Sequence, residues 1–422
     1  MPSLQVITLG CSKNTVDTEH LLSQVQGSYD IVPEGYDGPV DCLLINTCGF
    51  IGDAKEESVQ TILEQVKAAR YGKLFVFGCL SQRYMAELPG LIPEVDGWFG
   101  ARDLAPVVKA LGCEPKGEGR YLTAPGLPYA YLKISEGCDR RCSYCAIPFI
   151  RGAHRSVPME DLVKEASALA SAGVKELELI AQDTTFYGLD LYRRRALAEL
   201  LKRLSDVEGI ERLRIHYSYP ADFPDDVLDE MATNPKVCKY MDIPLQHVSD
   251  KVLANMHRHV DGAWTRALIS KMRERVPGIV LRTTMIVGHP GEGKREFQEL
   301  LDFVEDARFE RLGAFTYSEE EGTWGAANLR DTVPQKTKRE RLSALMELQR
   351  GISFAYNTSR VGTTTRVLID DWKDGVYVCR SEAESPEVDG EILVRGDGSL
   401  TGSFAQVRIT QADEYDLKGV II

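Results

Sequence analysis

The sequence predicts an α/β protein in three parts: an N-terminal Rossmann-like parallel sheet, a central partial (β/α) barrel, and a small C-terminal antiparallel β-barrel. Three observations predict it. Short apolar runs alternate with helix-like stretches over roughly the first 110 residues. The alternation restarts after a Pro- and Gly-containing stretch and continues for six units. Beyond that, short β-type runs separated by turn residues take over. The expected parts are 1–121, 129–355 and 356–422.

In the first part, 4–9 (LQVITL), 42–45 (CLLI) and 73–77 (KLFVF) read as strands, with helices at 15–26 and 53–70. This βαβαβ order implies parallel strands with right-handed crossovers. Residues 122–128 read as a linker. In the second part, strands are expected at 130–135, 176–180, 212–216, 239–243, 279–287 and 311–317, and helices between them, such as 158–172 and 295–306. A long charged amphipathic helix at 334–356 closes that part. In the third, 363–370, 375–379, 391–393 and 406–410 read as short strands.

Composition narrows the function classes. An apolar fraction of 43% in 422 residues is that of a globular chain and excludes wholesale disorder. No apolar run approaches the roughly 18 residues that cross a bilayer, and the first residues carry no secretory signal pattern. A cytoplasmic protein without a membrane partner is expected. Against 50 Lys and Arg stand 63 Asp and Glu, a net charge of −13, so the chain has no global field for a polyanion.

Ten cysteines in a reducing compartment should be thiols, and clustered thiols there point to metal or catalysis. Cys138, Cys142 and Cys145 form a C-x3-C-x2-C motif after the first strand of the second part, where barrel active sites are built. Three thiolates can grip one face of a [4Fe–4S] cubane and leave one iron open to a further ligand. Zinc competes on spacing alone, because His154 could complete a Cys3His site. A second trio is less obvious. Cys11, Cys48 and Cys79 each follow one of the first three strands. In a parallel sheet such ends share one edge, so distant residues converge there. Gly10, Gly49 and Gly78 beside them permit close backbone approach. Cys42, Cys113, Cys238 and Cys379 read as structural.

Two further features carry no function. Gly288 to Lys294 fits the G-x4-G-K spacing of a phosphate-binding loop, but Arg295 stands where Ser or Thr would bind magnesium. His257 and His259, two residues apart, would lie on different faces of a helix and form no metal pair.

The constellation resembles a known family. C-x3-C-x2-C is the signature of radical S-adenosylmethionine (SAM) enzymes. Leu9-Gly10-Cys11, Asn46-Thr47-Cys48 and Gly78-Cys79 resemble the N-terminal domain of methylthiotransferases, and the terminal barrel resembles their TRAM domain. The resemblance covers essentially the whole chain. Gly10-Cys11-Ser12-Lys13-Asn14 with Asp17 and Glu19, Pro244-Leu245-Gln246-His247, Ile286-Val287-Gly288 and Tyr317 to Thr323 resemble the branch that modifies an aspartate of ribosomal protein S12. The other branch modifies an adenosine beside the tRNA anticodon. Two positions depart from the pattern: His289 where Phe is frequent, and Val157 where Arg is common after Ser156.

The resemblance implies two [4Fe–4S] clusters, held by Cys138, Cys142 and Cys145 and by Cys11, Cys48 and Cys79. It implies methylthiolation of the aspartate β-carbon of S12. One SAM supplies a 5′-deoxyadenosyl radical and another the methyl group, and a flavodoxin- or ferredoxin-like one-electron reductant feeds the reaction. It places SAM near Tyr144, Gln182, Asp183, Gln246 and Arg282. The alternatives are tRNA methylthiolation and, from a different class, an iron–sulfur electron carrier. RNA binding is not favoured: residues 356–422 carry 7 Lys and Arg against 12 Asp and Glu, a net of −5. Phosphate binding needs the opposite sign. An acidic surface suits a basic protein.

Overall fold

The computed structural model describes residues 1–116 and 119–422. The first sheet is all parallel, in the order Asp30–Ile31, Ser3–Thr8, Val40–Thr47, Tyr71–Gly78, Gly97–Trp98. Its three longer strands are the three expected ones, the first shifted back by one residue and the other two extended by a few. Helices Ser12–Val25 and Gly52–Ala68 make the crossovers. The two-residue edge strands were not expected, being too short for any periodicity to register.

The second sheet follows chain order: Tyr129–Lys133, Glu176–Ile180, Arg212–Ile215, Val237–Asp242, Val280–Val287 and Arg311–Thr316, all parallel. Its first and last strands do not pair, so it is an open, partial barrel. The sequence ELELI at Glu176–Ile180 shows how it is built. Leu177 and Leu179 face the surrounding helices in the main apolar core. Glu176 and Glu178 take the alternate positions, on the concave side, and are fully buried. The covering helices are amphipathic; Leu197–Ser205 buries Leu197, Leu200, Leu201 and Leu204 along one stripe. Helix Gln335–Ser359 lies where a long closing helix was expected and runs three residues further. The 122–128 stretch is not a free linker: Thr123 donates to Glu19 Oε1 from both its backbone N and its hydroxyl, at 3.0 Å each.

The third sheet is a closed five-stranded barrel in the order Thr364–Lys373, Val376–Arg380, Ile392–Arg395, Leu417–Ile421, Phe404–Ala412. It differs from the expected antiparallel barrel in one pairing. Leu417–Ile421, not anticipated as a strand, closes the barrel by running parallel to Ile392–Arg395. Its pattern is weak because Gly419 interrupts it, leaving Leu417 as its one core residue.

The last barrel plugs the concave side of the second sheet. Arg380 bonds Asp370 beneath it, and reaches Glu176 at 3.1 Å and Glu178 at 3.6 Å. Arg214, fully buried, pairs with Glu176 at 2.9 Å. His216 lies 2.9 Å from Glu178, 3.5 Å from Asp242 and 3.0 Å from the Ser385 hydroxyl. Arg282 joins Asp242 at 3.0 Å to Asp389 at 3.6 Å. Burial alone would raise the Glu176 carboxyl, but Arg380, Arg214 and Arg212 outweigh it and hold it well below the usual carboxylate range. Glu384, against Arg360 and Arg311, is likewise drawn down to about 2 despite its burial.

Such a network tolerates replacement as a whole far better than loss of one member. Arg380→Ala leaves Glu176 and Glu178 short of a partner in a dry interior. It is expected to cost about 3–5 kcal/mol of stability by chemical denaturation. A loss below about 1 kcal/mol would mean that this floor is hydrated.

Candidate active site between two parallel sheets

The first trio stands where its strands end. Cys11 is the residue just before helix Ser12–Val25, Cys48 follows Val40–Thr47, and Cys79 follows Tyr71–Gly78. Gly10 has φ +95°, and a Cβ there would lie 2.7 Å from Cys48 Cβ and 3.1 Å from its Sγ. Only glycine lets the first strand end pass this close to the second thiol. Asn14 and Asn46 lash the ends together. Asn14 Nδ2 donates to Leu9 O at 2.7 Å and Thr47 O at 3.3 Å, while Asn46 Nδ2 donates to Asn14 O at 2.9 Å. Cys11 and Cys48 both lie near enough to Cys79 to act on its ionisation.

The second trio occupies the loop after Ser135–Glu136. Gly137 has φ +73°, and a Cβ there would strike Ala153 O at 2.1 Å. Cys138 N donates to Gly152 O at 3.1 Å and Cys145 N to Cys142 O at 3.1 Å, which folds the loop on itself. Arg258 Nη1 lies 3.5 Å from both Cys142 Sγ and Tyr144 Oη.

Burial pushes the thiols of Cys79 and Cys138 up to about 12, and raises those of Cys48 and Cys145; Arg151 opposes the shift at Cys79. These thiols are protonated at neutral pH, and a metal centre must displace the protons. Among the described residues no three His, Cys, Asp or Glu side chains close on a point that would hold a single ion. His154 lies with Nε2 3.0 Å from the Ser156 hydroxyl and its ring edge-on to Phe186, while its buried Nδ1 has no partner among the described residues.

The five residues expected near SAM divide. Gln182 and Gln246 lie just past strand ends, and each has a side-chain oxygen buried without a partner, a fit for a polar ligand. Tyr144 meets His289 edge-on, and His289 meets Tyr317 in the same way, with centroids 6.3 and 4.8 Å apart. Burial drops His289 to about 4, so it is neutral and packs as an aromatic ring, which accounts for its standing where Phe is frequent. Asp183 is already satisfied, capping Thr185 at 2.9 Å and pairing with Arg140 at 2.9 Å. Arg282 belongs to the floor network, paired with Asp242 and Asp389.

The two dismissed motifs have structural reasons. Gly288 N donates to Glu292 at 2.7 Å, so the chain's own carboxylate fills the loop where a phosphate would sit. His257 and His259 are not helical at all; both have left-handed backbones, and His257 stacks on Trp324 at 4.2 Å.

Sequence reasoning missed the groups that join the trios. Lys133 lies between Asp17 and Glu136, and Arg151 reaches both carboxylates and Cys79. Lys13 Nζ sits 3.3 Å over the Tyr217 ring. Lys55 and Arg83 each meet Glu320 at 2.9 Å. Glu136, two residues before Cys138, was a signal in plain view.

Comparison with known proteins agrees with this architecture. Residues 3–100 match the uncharacterized protein family UPF0004, 132–304 the radical SAM superfamily, and 361–422 the TRAM domain. Ribosomal protein uS12 methylthiotransferase RimO of Porphyromonas gingivalis is 52% identical over 99% of this chain and 99% of its own length. The Bacteroides fragilis protein of the same name is 50% identical, covering 100% and 99%. Among solved structures, the radical SAM methyltransferase TsrM of Kitasatospora setae, with tryptophan and a SAM analogue bound, superposes with a TM-score of 0.55 at 12% identity. It covers 74% of this chain and 73% of that one, and shares the fold alone. Identity of this extent along the whole chain places it in the family of ribosomal protein uS12 methylthiotransferases, within the radical SAM superfamily.

Proposed function

We propose that this protein methylthiolates the β-carbon of an aspartate in ribosomal protein uS12. In this reading Cys138, Cys142 and Cys145 hold one [4Fe–4S] cluster, and Cys11, Cys48 and Cys79 hold the other. The observation that carries the proposal is that the two trios, each at the carboxyl edge of its own parallel sheet, are tied to one another by Arg151 and its carboxylates. When bound, the clusters and SAM supply the hydrogen abstraction, the sulfur and the methyl group. The chain's own residues do the rest. Three strand ends fix the thiols of the first trio and one folded loop those of the second. The partnerless oxygens of Gln182 and Gln246 offer acceptors to the SAM amino acid portion. Tyr144, held by His289 and Arg258, offers a ring face to adenine. The plugged floor excludes water from below. Among the described residues no helix is long and apolar enough to cross a membrane.

The net of −5 over residues 356–422 supports a basic protein as the partner of the terminal barrel rather than a nucleic acid. An external one-electron donor of flavodoxin or ferredoxin type completes the proposal.

Anaerobic reconstitution should give about eight irons per chain, and about four after Cys11, Cys48 and Cys79 are all replaced by Ala. About four irons in the unaltered chain would leave the first trio without a cluster. Incubation with uS12, SAM, sulfide and reductant should raise the mass of one uS12 aspartate by a methylthio group, and Cys11→Ala should abolish that product. Modification of anticodon-arm RNA in place of uS12 would assign the chain to the other branch.

A further inference from the structure

The groups joining the two thiol-bearing regions converge on Arg151. It follows helix Ile147–Ile150 and is 4% exposed. Its Nε donates to Cys79 Sγ at 3.2 Å, and its Nη2 to Asn14 Oδ1 at 2.6 Å. Its Nη1 donates to Asp17 Oδ2 at 2.6 Å and to Glu136 Oε2 at 3.2 Å. All three nitrogens are engaged. Three of these partners lie on the first sheet's strand ends and following helices, and the fourth lies two residues before Cys138.

The charges here balance. Arg151 and Lys133 face Asp17 and Glu136, two cations against two carboxylates. Arg151 therefore brings little spare charge to the sulfur; it brings an oriented N–H. A guanidinium can aim one edge at a sulfur while its fork holds carboxylate and amide, which an ammonium cannot. Hydrogen bonds to cluster sulfurs are among the levers that set a cluster's potential, and groups behind a ligand orient it.

We propose that Arg151 is a positioning residue for the cluster at Cys11, Cys48 and Cys79: it aims Cys79, raises that cluster's reduction potential through the N–H···S bond, and locks the first trio in register with the loop of the second. This rests on the assignment of a cluster to the first trio.

The test uses the full chain with Cys138, Cys142 and Cys145 replaced by Ala, so that only the first cluster loads. Arg151→Met and Arg151→Lys are compared with this parent by iron analysis and by redox titration followed by electron paramagnetic resonance (EPR). The parent should hold about four irons, and Arg151→Met should titrate at a lower potential. Arg151→Lys, which keeps the charge but not the fork, should fall between the two. In the six-cysteine chain, Arg151→Met should lose methylthiolation by about 10- to 100-fold, the usual cost of removing a group that orients a metal ligand. A parent-like potential in an iron-replete Arg151→Met overturns the proposal. Should that variant not fold, a parent-like potential together with parent-like methylthiolation in Arg151→Lys overturns it instead. Absence of iron from the parent itself refutes the first cluster's assignment, and the role of Arg151 with it.

Discussion

The structure depends on one constraint: two parallel sheets must present their carboxyl edges to each other across a seam of buried charge. Each edge alone is an ordinary product of βα topology, and a crevice beyond strand ends is where such folds place ligands. The facing arrangement is the unusual part. It is held by buried Asp17 and Arg151 and half-buried Lys133 and Glu136, which stand at the junction and are drawn from both sheets. Taking these charges out of water carries a large desolvation cost, so this seam is poorly explained as a source of stability. It is better explained as a register device, since any slippage would strand a charge in a dry place.

The floor obeys the same logic. A (β/α) barrel normally fills its interior with apolar layers. Here the inward positions carry Glu176, Glu178, Arg212, Arg214, His216 and Asp242, and the C-terminal part supplies Arg380 and Ser385 to meet them. The terminal barrel is therefore built into the catalytic core as well as offering an outer surface. The sheet stays open, and the plug takes over the role that further strands would play in a full barrel.

Much of this was legible in the sequence, and the limits have physical causes. The long strands announced themselves through apolar runs, and the first trio through its position after three of them. The second trio needed only its spacing. Cys11, Cys48 and Cys79 could be united because parallel topology brings strand ends together whatever lies between them. The same reasoning could not place Arg282. Its strand was foreseen, but whether a residue of that strand faces the cysteines or the floor depends on register against Val237–Asp242, where it pairs with Asp242. Asp183 was open to two readings, and its contacts favour the cap. Arg151 escaped notice because nothing local distinguishes an arginine that will be buried from one on the surface; its partners Asn14 and Asp17 are more than 130 positions away. Leu417–Ile421 escaped because barrel closure, not local propensity, makes it a strand.

Both clusters are expected to share one chamber. EPR of the fully reduced six-cysteine chain tests it most directly, set against the summed spectra of two variants that each keep one trio. Clusters facing one another across the Arg151 seam couple magnetically. The account predicts a broadened, faster-relaxing spectrum that the sum cannot reproduce. A spectrum equal to that sum would place the clusters too far apart to work on one substrate, and would contradict the account.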